Sequence, residues 1–111
     1  MNKKKTILID LDGVLNTYCG NYDKNYIPPL RDGAEEFLIK LTEKYNLKLF
    51  TNRNTKLAKK WLIENKIDKY FLEVTNIKGP ATLYIDDRAL KFNGNFNETL
   101  SQVYNFKTFW E

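Results

Sequence analysis

The fold of this chain is decided by residues 5–15, which read KTILIDLDGVL. An apolar run of strand-forming residues ends here in two aspartates, Asp10 and Asp12, followed by Gly13. Such a run is typical of a buried strand in a parallel sheet. Side chains two positions apart on a strand share a face, so both carboxylates are expected to point into one small volume. They repel each other unless a proton or a cation lies between them, and Mg²⁺ favours carboxylate oxygens.

A second acidic pair, Asp86 and Asp87, follows a later apolar run at residues 82–85. A lone aspartate at the end of a strand is usually an ordinary turn residue. Two acidic pairs that both follow apolar runs favour a different interpretation, in which all four carboxylates share one cation.

Composition limits the class of protein. The 111 residues are 42% apolar and 29% charged, as expected for a single domain, residues 1–111, that is too small to carry a separate substrate-binding domain. An apolar run of about 18 residues, long enough to cross a membrane, is absent from the sequence, and the basic start is unlike a signal peptide. We therefore expect a cytoplasmic protein without a membrane partner.

The numbers of cysteine and histidine residues limit which catalytic groups and metal ligands the chain can supply. The single cysteine excludes an internal disulfide and a multi-cysteine zinc site. Histidine is absent, so acid-base work falls to carboxylates, lysines or tyrosines. The net charge of +4 mildly favours anionic ligands such as phosphates, and nucleic acid is possible but not indicated.

Further along the chain, apolar periodicity alternates between helix and strand. Residues 13–29 hold glycines and a proline pair, and they predict a short flap whose tyrosines either line a ligand entrance or cover the core edge. The pattern then predicts a helix over 31–45, a strand over 47–51, a helix over 55–66, strands over 71–75 and 82–85, a short edge strand over 89–94 and a helix over 97–109. This alternation predicts an α/β fold with a central parallel sheet and helices on its faces.

Ligands in such folds bind beyond the carboxyl ends of the strands. The chemically capable residues follow predicted strand ends: Asp10, Asp12, Thr51, Lys78, Asp86 and Asp87. Thr51 also directly precedes a predicted helix, where a hydroxyl and backbone N–H groups can meet a phosphate oxygen.

At these residues the sequence resembles the haloacid dehalogenase superfamily of phosphotransferases. The resemblance runs over residues 6–92 through four motifs in order, namely DLDGVL at 10–15, Thr51 after an apolar strand, Lys78 in a loop, and the pair Asp86-Asp87. The first motif is highly specific, whereas Thr51 and Lys78 gain weight from order and spacing. The resemblance implies a Rossmann-like three-layer sandwich without a large cap domain, and a magnesium-dependent phosphomonoester hydrolase.

The resemblance also implies a role for each motif residue. Asp10 would attack a phosphoryl group and form an aspartyl-phosphate, while Asp12 would protonate the leaving alcohol and then deprotonate water. Mg²⁺ would be held by Asp10, by the backbone carbonyl of Asp12 and by one acid of the Asp86-Asp87 pair, with Asp87 favoured as the direct ligand because many relatives have Gly-Asp there. Thr51 and Lys78 would bind phosphoryl oxygens.

Three residues beside the motifs, Asn52, Arg53 and Arg88, are candidates for substrate binding. The arginines could grip a second anionic group, or they could simply face solvent or brace the core. Without a cap the site is expected to stay open. The substrate is then a bulky phosphorylated molecule or macromolecule end, or a second copy in a homo-oligomer supplies a lid.

Two other functions share these residues. A receiver-type switch is also phosphorylated on aspartate, but receivers usually carry adjacent acids after the first strand, whereas here the spaced pair comes first. A nucleic-acid end-processing phosphatase would keep the mechanism and change the substrate. Repeated turnover distinguishes a phosphatase from a switch.

Overall fold

A computed structural model describes residues 4–111 of the chain. Four strands form one parallel sheet in the order β3-β2-β1-β4, with β1 at the centre between β2 and β4. The strands are β1 (Lys5–Asp10), β2 (Tyr45–Phe50), β3 (Glu73–Thr75) and β4 (Leu83–Ile85), and the helices are α1 (Ala34–Thr42), α2 (Thr55–Glu64) and α3 (Phe96–Tyr104). A single 3₁₀ turn, Asp68–Tyr70, precedes β3. The predicted α/β fold with a parallel sheet is confirmed.

The core lies on the face of the sheet that α1 and α2 cover. Ile7 of β1 pairs with Leu47 of β2, and Ile9 pairs with Leu49, so these side chains share one face. They pack in one cluster with apolar residues of both helices, including Leu38 of α1 and the α2 residues Ala58, Trp61 and Leu62. Burial of these side chains fixes β1 and β2, and with them the position where each strand ends.

The opposite face is covered unevenly. Leu8 of β1 points away from Ile7 and Ile9 and is still buried, so β1 is enclosed on both faces. In contrast, α3 has all of its apolar side chains exposed, with Phe96 at 81% and Tyr104 at 76%. The helix is therefore held mainly by its own hydrogen bonds and by its cap, since the Asn95 side chain accepts from the Glu98 N–H.

Three predicted elements differ most from the structure, namely the first helix, the last helix and the edge strand. The first helix begins at Ala34, after Gly33 in a left-handed conformation, and ends at Thr42 because Tyr45 and its neighbours pair with β1 instead. The last helix ends at Tyr104, where the Asn105 side chain turns back to the Ser101 carbonyl. Residues 89–94, all described by the structure, form no strand, and Asn93 there makes a local turn with the Asn95 N–H.

The predicted flap is closed at its base like a hairpin. Asn16 and Leu30 form an antiparallel bridge, and the Arg31 N–H donates to the Leu15 carbonyl at 2.8 Å. Within the flap Tyr18 is buried, whereas Tyr22 and Tyr26 are more than half exposed. The loop therefore has a fixed base beside the end of β1 and an exposed tip.

Within residues 4–111, every helix is too short or too polar to span a bilayer.

Candidate functional site

A cavity of about 240 Å³ opens at the carboxyl end of the sheet. Seven of the nine predicted site residues line it: Asp10, Asp12, Asn52, Arg53, Asp86, Asp87 and Arg88. Three aromatic side chains complete the wall, namely Tyr18, Tyr22 and Phe50. Residues at or just after the ends of β1, β2 and β4 and residues of the flap thus meet at one place.

Strand register explains why the two acidic pairs meet. Ile9 of β1 lies beside Ile85 of β4, so Asp10 and Asp86 leave the sheet side by side. Carboxylate oxygens of Asp10, Asp86 and Asp87 all lie within 4.8 Å of one another. We call these three residues the acidic triad.

The acidic triad places Asp10 in an unfavourable environment for a negative charge. Burial, followed by the charges of Asp86, Asp87 and Asp12, raises the pKa of Asp10 to about 8. A hydrogen bond with the Asp87 side chain acts in the same direction. At neutral pH this carboxyl therefore keeps a proton unless a cation takes its place.

Asp86 behaves in the opposite way within the same cluster. Burial alone would raise its pKa, but the Arg88 backbone N–H, at 2.8 Å, and the Lys78 ammonium, at 3.1 Å, outweigh burial and leave the pKa lowered. Asp86 thus carries a negative charge more readily than Asp10.

Asp12 lies outside the triad, and its carboxylate is bound by two neighbours. The Arg53 guanidinium donates from Nε to Oδ2 at 2.8 Å and from the Nη2 atom to Oδ1 at 3.1 Å. The buried Asn16 amide donates to Oδ1 at 2.9 Å, and its own oxygen accepts from the N–H groups of Gly13 and Tyr18. These hydrogen bonds from Arg53 and Asn16 fix the Asp12 carboxylate at the cavity wall.

Arg53 is a bracing residue in this structure, one of the alternatives that the sequence left open. Its side chain is 1% exposed. Beyond Asp12, it donates to the Asp23 carbonyl at 2.7 Å and stacks on the Tyr22 ring at 4.6 Å. One guanidinium thus joins the end of β2 to the flap and to Asp12, while substrate binding by Arg53 stays a prediction.

The remaining predicted site residues differ in how deeply they are buried. Thr51 is buried, where its hydroxyl oxygen accepts from the Arg53 N–H at 3.0 Å, so it stabilises the turn after β2. Lys78 is partly exposed and reaches the cavity through Asp86. Asn52 and Arg88 lie on the cavity wall itself. Arg88 is exposed, and its guanidinium lies 5.5 Å from the Trp110 ring.

Sequence reasoning missed two residues that contact the candidate site residues directly. Asn16 holds Asp12, and Trp110 donates from its indole Nε1 to Asp87 Oδ2 at 2.6 Å. A buried asparagine in a predicted flap was a weak signal, because asparagine is common in loops. Trp110 gave no signal, since it lies 23 positions from Asp87.

The donors of the acidic triad fit Mg²⁺. All three are carboxylates, the hard oxygen ligands that this ion prefers, and they converge beside an open cavity with space for water ligands. Burial and the neighbouring acids raise the pKa of Asp10, so a cation bound here would take the place of its proton. The Asp12 side chain is occupied by Arg53 and Asn16, so its predicted part in metal binding rests on its backbone carbonyl.

Comparison with family models, with curated proteins and with solved structures gave no match.

Proposed function

We propose that this chain is a Mg²⁺-dependent phosphomonoester hydrolase that acts through an aspartyl-phosphate on Asp10. The observation that carries the proposal is the convergence of Asp10, Asp86 and Asp87 within 4.8 Å beside a cavity that Asp12 also lines. The parallel sheet, with β1 enclosed on both faces, supports the further assignment to a Rossmann-like three-layer sandwich without a cap domain.

In the first step, an Asp10 carboxylate oxygen bonds to phosphorus and the ester P–O bond breaks. Asp12, a carboxylate paired with Arg53 in the structure, first takes up a proton from solvent; the leaving oxygen then takes this proton and departs as an alcohol. In the second step, water adds to phosphorus, gives a proton to Asp12, and the bond between phosphorus and Asp10 breaks. Inorganic phosphate is released, Asp12 returns its proton to solvent, and both carboxyl groups return to their starting state.

The arrangement gives the two aspartates different tasks. Asp10 is buried among acids, close to the ion that the triad would hold, whereas Asp12 is fixed by Arg53 and Asn16 on the cavity wall. When bound, Mg²⁺ would replace the proton of Asp10 and offset the charge of the approaching phosphate. Asp10 is then free to act as the nucleophile.

Positive and polar groups around the cavity suit the remaining phosphoryl oxygens. Lys78 is tied to Asp86 at 3.1 Å and can supply a positive charge at the edge of the site, while Arg88 and Asn52 line the wall. Phosphoryl transfer depends mainly on positioning and on charge stabilisation, which such groups provide. The proposed substrate is therefore a phosphomonoester whose organic part extends out of the open cavity.

The test is phosphate release, measured with and without Mg²⁺ on phosphorylated sugars, nucleotides and oligonucleotide ends. We expect Mg²⁺-dependent multiple turnover, and a loss of at least about 1,000-fold in Asp10→Asn. The matched control is Asp32→Asn, which removes an exposed carboxylate ahead of α1 and should retain full activity.

Two kinds of outcome would contradict the Mg²⁺-dependent hydrolase acting through Asp10, and a third would identify its substrate. A single phosphate retained per chain would indicate a receiver-type switch. Full activity in Asp10→Asn, or in excess chelator, would exclude Asp10 as nucleophile or Mg²⁺ as cofactor. Activity confined to oligonucleotide ends would keep the mechanism and assign nucleic acid as the substrate.

A further inference from the structure

The last residues of the chain fold back onto the cavity. Trp110 donates its indole N–H to Asp87 at 2.6 Å, and its ring meets the Tyr18 ring edge-on at a centroid distance of 5.5 Å. Two residues earlier, Thr108 is buried and its hydroxyl donates to the Glu111 side chain at 3.0 Å. The tail is therefore held by the indole contacts and by the burial of Thr108, while the bond from Thr108 to Glu111 closes a local turn around the indole.

Gly13, in the loop that follows β1, makes room for this contact. Its φ of +82° is a left-handed conformation that favours glycine, and a Cβ built there would overlap the Asp87 carboxylate and lie 3.0 Å from the indole nitrogen. The loop backbone, the Asp87 carboxylate and the Trp110 indole thus share one closely packed volume. A side chain at position 13 would displace the Asp87 carboxylate.

The chemistry of the indole matters here. Its N–H is a donor only and carries no charge, so it can fix one oxygen of Asp87 without cancelling the negative charge that a cation needs. An ammonium or guanidinium at the same place would compete with the cation. Hydrogen bonds of this kind orient the carboxylates and imidazoles that bind metals, and losing one typically weakens metal binding about 10- to 100-fold.

We propose that Trp110 is a positioning residue for the metal site, holding the Asp87 carboxylate by Oδ2 in the orientation that keeps it close to Asp10 and Asp86. The inference rests on the proposed function for the identity of the ion, Mg²⁺. It also makes the C-terminal tail part of the site, although the tail lies outside residues 6–92, over which the motifs run. Asp87 is then the triad member whose orientation depends on the tail.

The test measures metal binding directly in the full chain. Mg²⁺ affinity is determined by calorimetry for wild type, Trp110→Phe and Trp61→Phe. The phenylalanine at 110 keeps a ring against Tyr18 and removes the N–H donor. Trp61 lies in the core on α2, so its replacement is the matched control for loss of an indole. Thermal unfolding in chelator checks that each variant is folded.

A spectroscopic readout tests proximity. Tb³⁺ is added as a probe of the same site and excited through tryptophan at a wavelength that tyrosine does not absorb. We expect sensitised emission in wild type and in Trp61→Phe, its loss in Trp110→Phe, and Mg²⁺ affinity about 10-fold weaker in Trp110→Phe alone.

Unchanged Mg²⁺ affinity in folded Trp110→Phe would overturn the inference, as would a wild type that binds neither ion. If the Trp110→Phe variant fails to fold, truncation after Thr108 replaces it, with the same expectation and the same contradicting result. Failure of the proposed function is a separate result. A wild type that binds Mg²⁺ through Trp110-oriented Asp87 but releases no phosphate would retain the metal site and exclude the hydrolase.

Discussion

The two sides of the cavity use the same residue type in opposite electrostatic settings. On the acidic-triad side, Asp10 faces Asp86 and Asp87, and its pKa rises to about 8. On the other side, which we call the paired side, Asp12 is bound by Arg53 and Asn16. Only two positions separate Asp10 from Asp12 in the sequence. The electrostatic environment of each carboxylate is therefore set by the side chains that pack against it, which come from residues after β4 for Asp10 and from residues after β2 and in the flap for Asp12.

The difference separates two tasks. The paired side is satisfied within the protein, so its geometry is fixed before any ligand arrives. The acidic triad has excess negative charge and is satisfied by a proton or a cation from outside. A reaction that needs both a cation-dependent nucleophile and a prearranged proton carrier can use one carboxylate from each side.

The largest expected effect comes from breaking the paired side with Arg53→Met. This change removes both hydrogen bonds from the guanidinium to Asp12 and leaves a largely buried carboxylate without its positive partner. Removing one partner of a buried ion pair is costly, so we expect the free energy of unfolding to fall by about 3 kcal/mol. Urea denaturation followed by circular dichroism measures this change.

Arg88→Met is the control for Arg53→Met. It removes an exposed arginine from the same cavity but keeps the backbone N–H that binds Asp86, so its effect should stay within about 0.5 kcal/mol. Equal stability of the two variants would show that the paired side does not depend on Arg53.

A second experiment sharpens the comparison through pH. The folded-state pKa of Asp10, about 8, lies above its unfolded value of 3.8, so the metal-free folded state binds more protons between these values. Its contribution to stability is complete below pH 4 and is lost as pH rises towards 8. Mg²⁺ should therefore raise the unfolding temperature more at pH 8 than at pH 5. At about 30 times its Kd the ion stabilises by about 2 kcal/mol.

Asp10→Asn provides the control for this pH effect. The amide cannot ionise, so relative to wild type the variant should gain stability in chelator as pH rises from 4 to 8. Thermal unfolding at a series of pH values measures the difference between the two proteins. A constant difference across that range would show that Asp10 is not buried among like charges.

Local patterns predicted the parts of the site that follow from strands. The apolar runs before Asp10 and before Asp86 identify two buried strands, and parallel strands end at one edge of a sheet. Asp10 and Asp86 lie close together because β1 and β4 are neighbouring strands, with Ile9 beside Ile85. The helical spacing of apolar residues wrongly placed Tyr45 in the first helix, because this residue begins β2.

Contacts between distant side chains could not be read from the sequence. Arg53 meets Asp12 across 41 positions, and nothing local distinguishes it from an arginine that faces a substrate. Trp110 meets Asp87 across 23 positions and follows a helix whose apolar face is exposed. Such contacts depend on how the flap and the tail pack, and loop packing has no periodic signal in the sequence.

The smallest expected effect concerns Lys78, which offsets part of the negative charge of the acidic triad through its ion pair with Asp86. Lys78→Met removes the ammonium that lies 3.1 Å from Asp86 and helps to lower the pKa of Asp86. Because the lysine side chain is 46% exposed, solvent screens the pair and the loss of stability should not exceed about 1 kcal/mol. A group with a lowered pKa contributes stability above its unfolded pKa, here 3.8, so the loss should be present at pH 7 and should disappear as pH falls below that value and through the lowered folded-state pKa. Lys48→Met is the matched control, since Lys48 forms a similarly exposed pair with Glu73 outside the cavity, at 3.3 Å.

The Lys78→Met and Lys48→Met variants should unfold alike, whereas phosphate release should fall about 100-fold in Lys78→Met alone. Equal phosphate release in both would mean that Lys78 serves only as a surface ion pair, and that the acidic triad works without a positive charge from the protein.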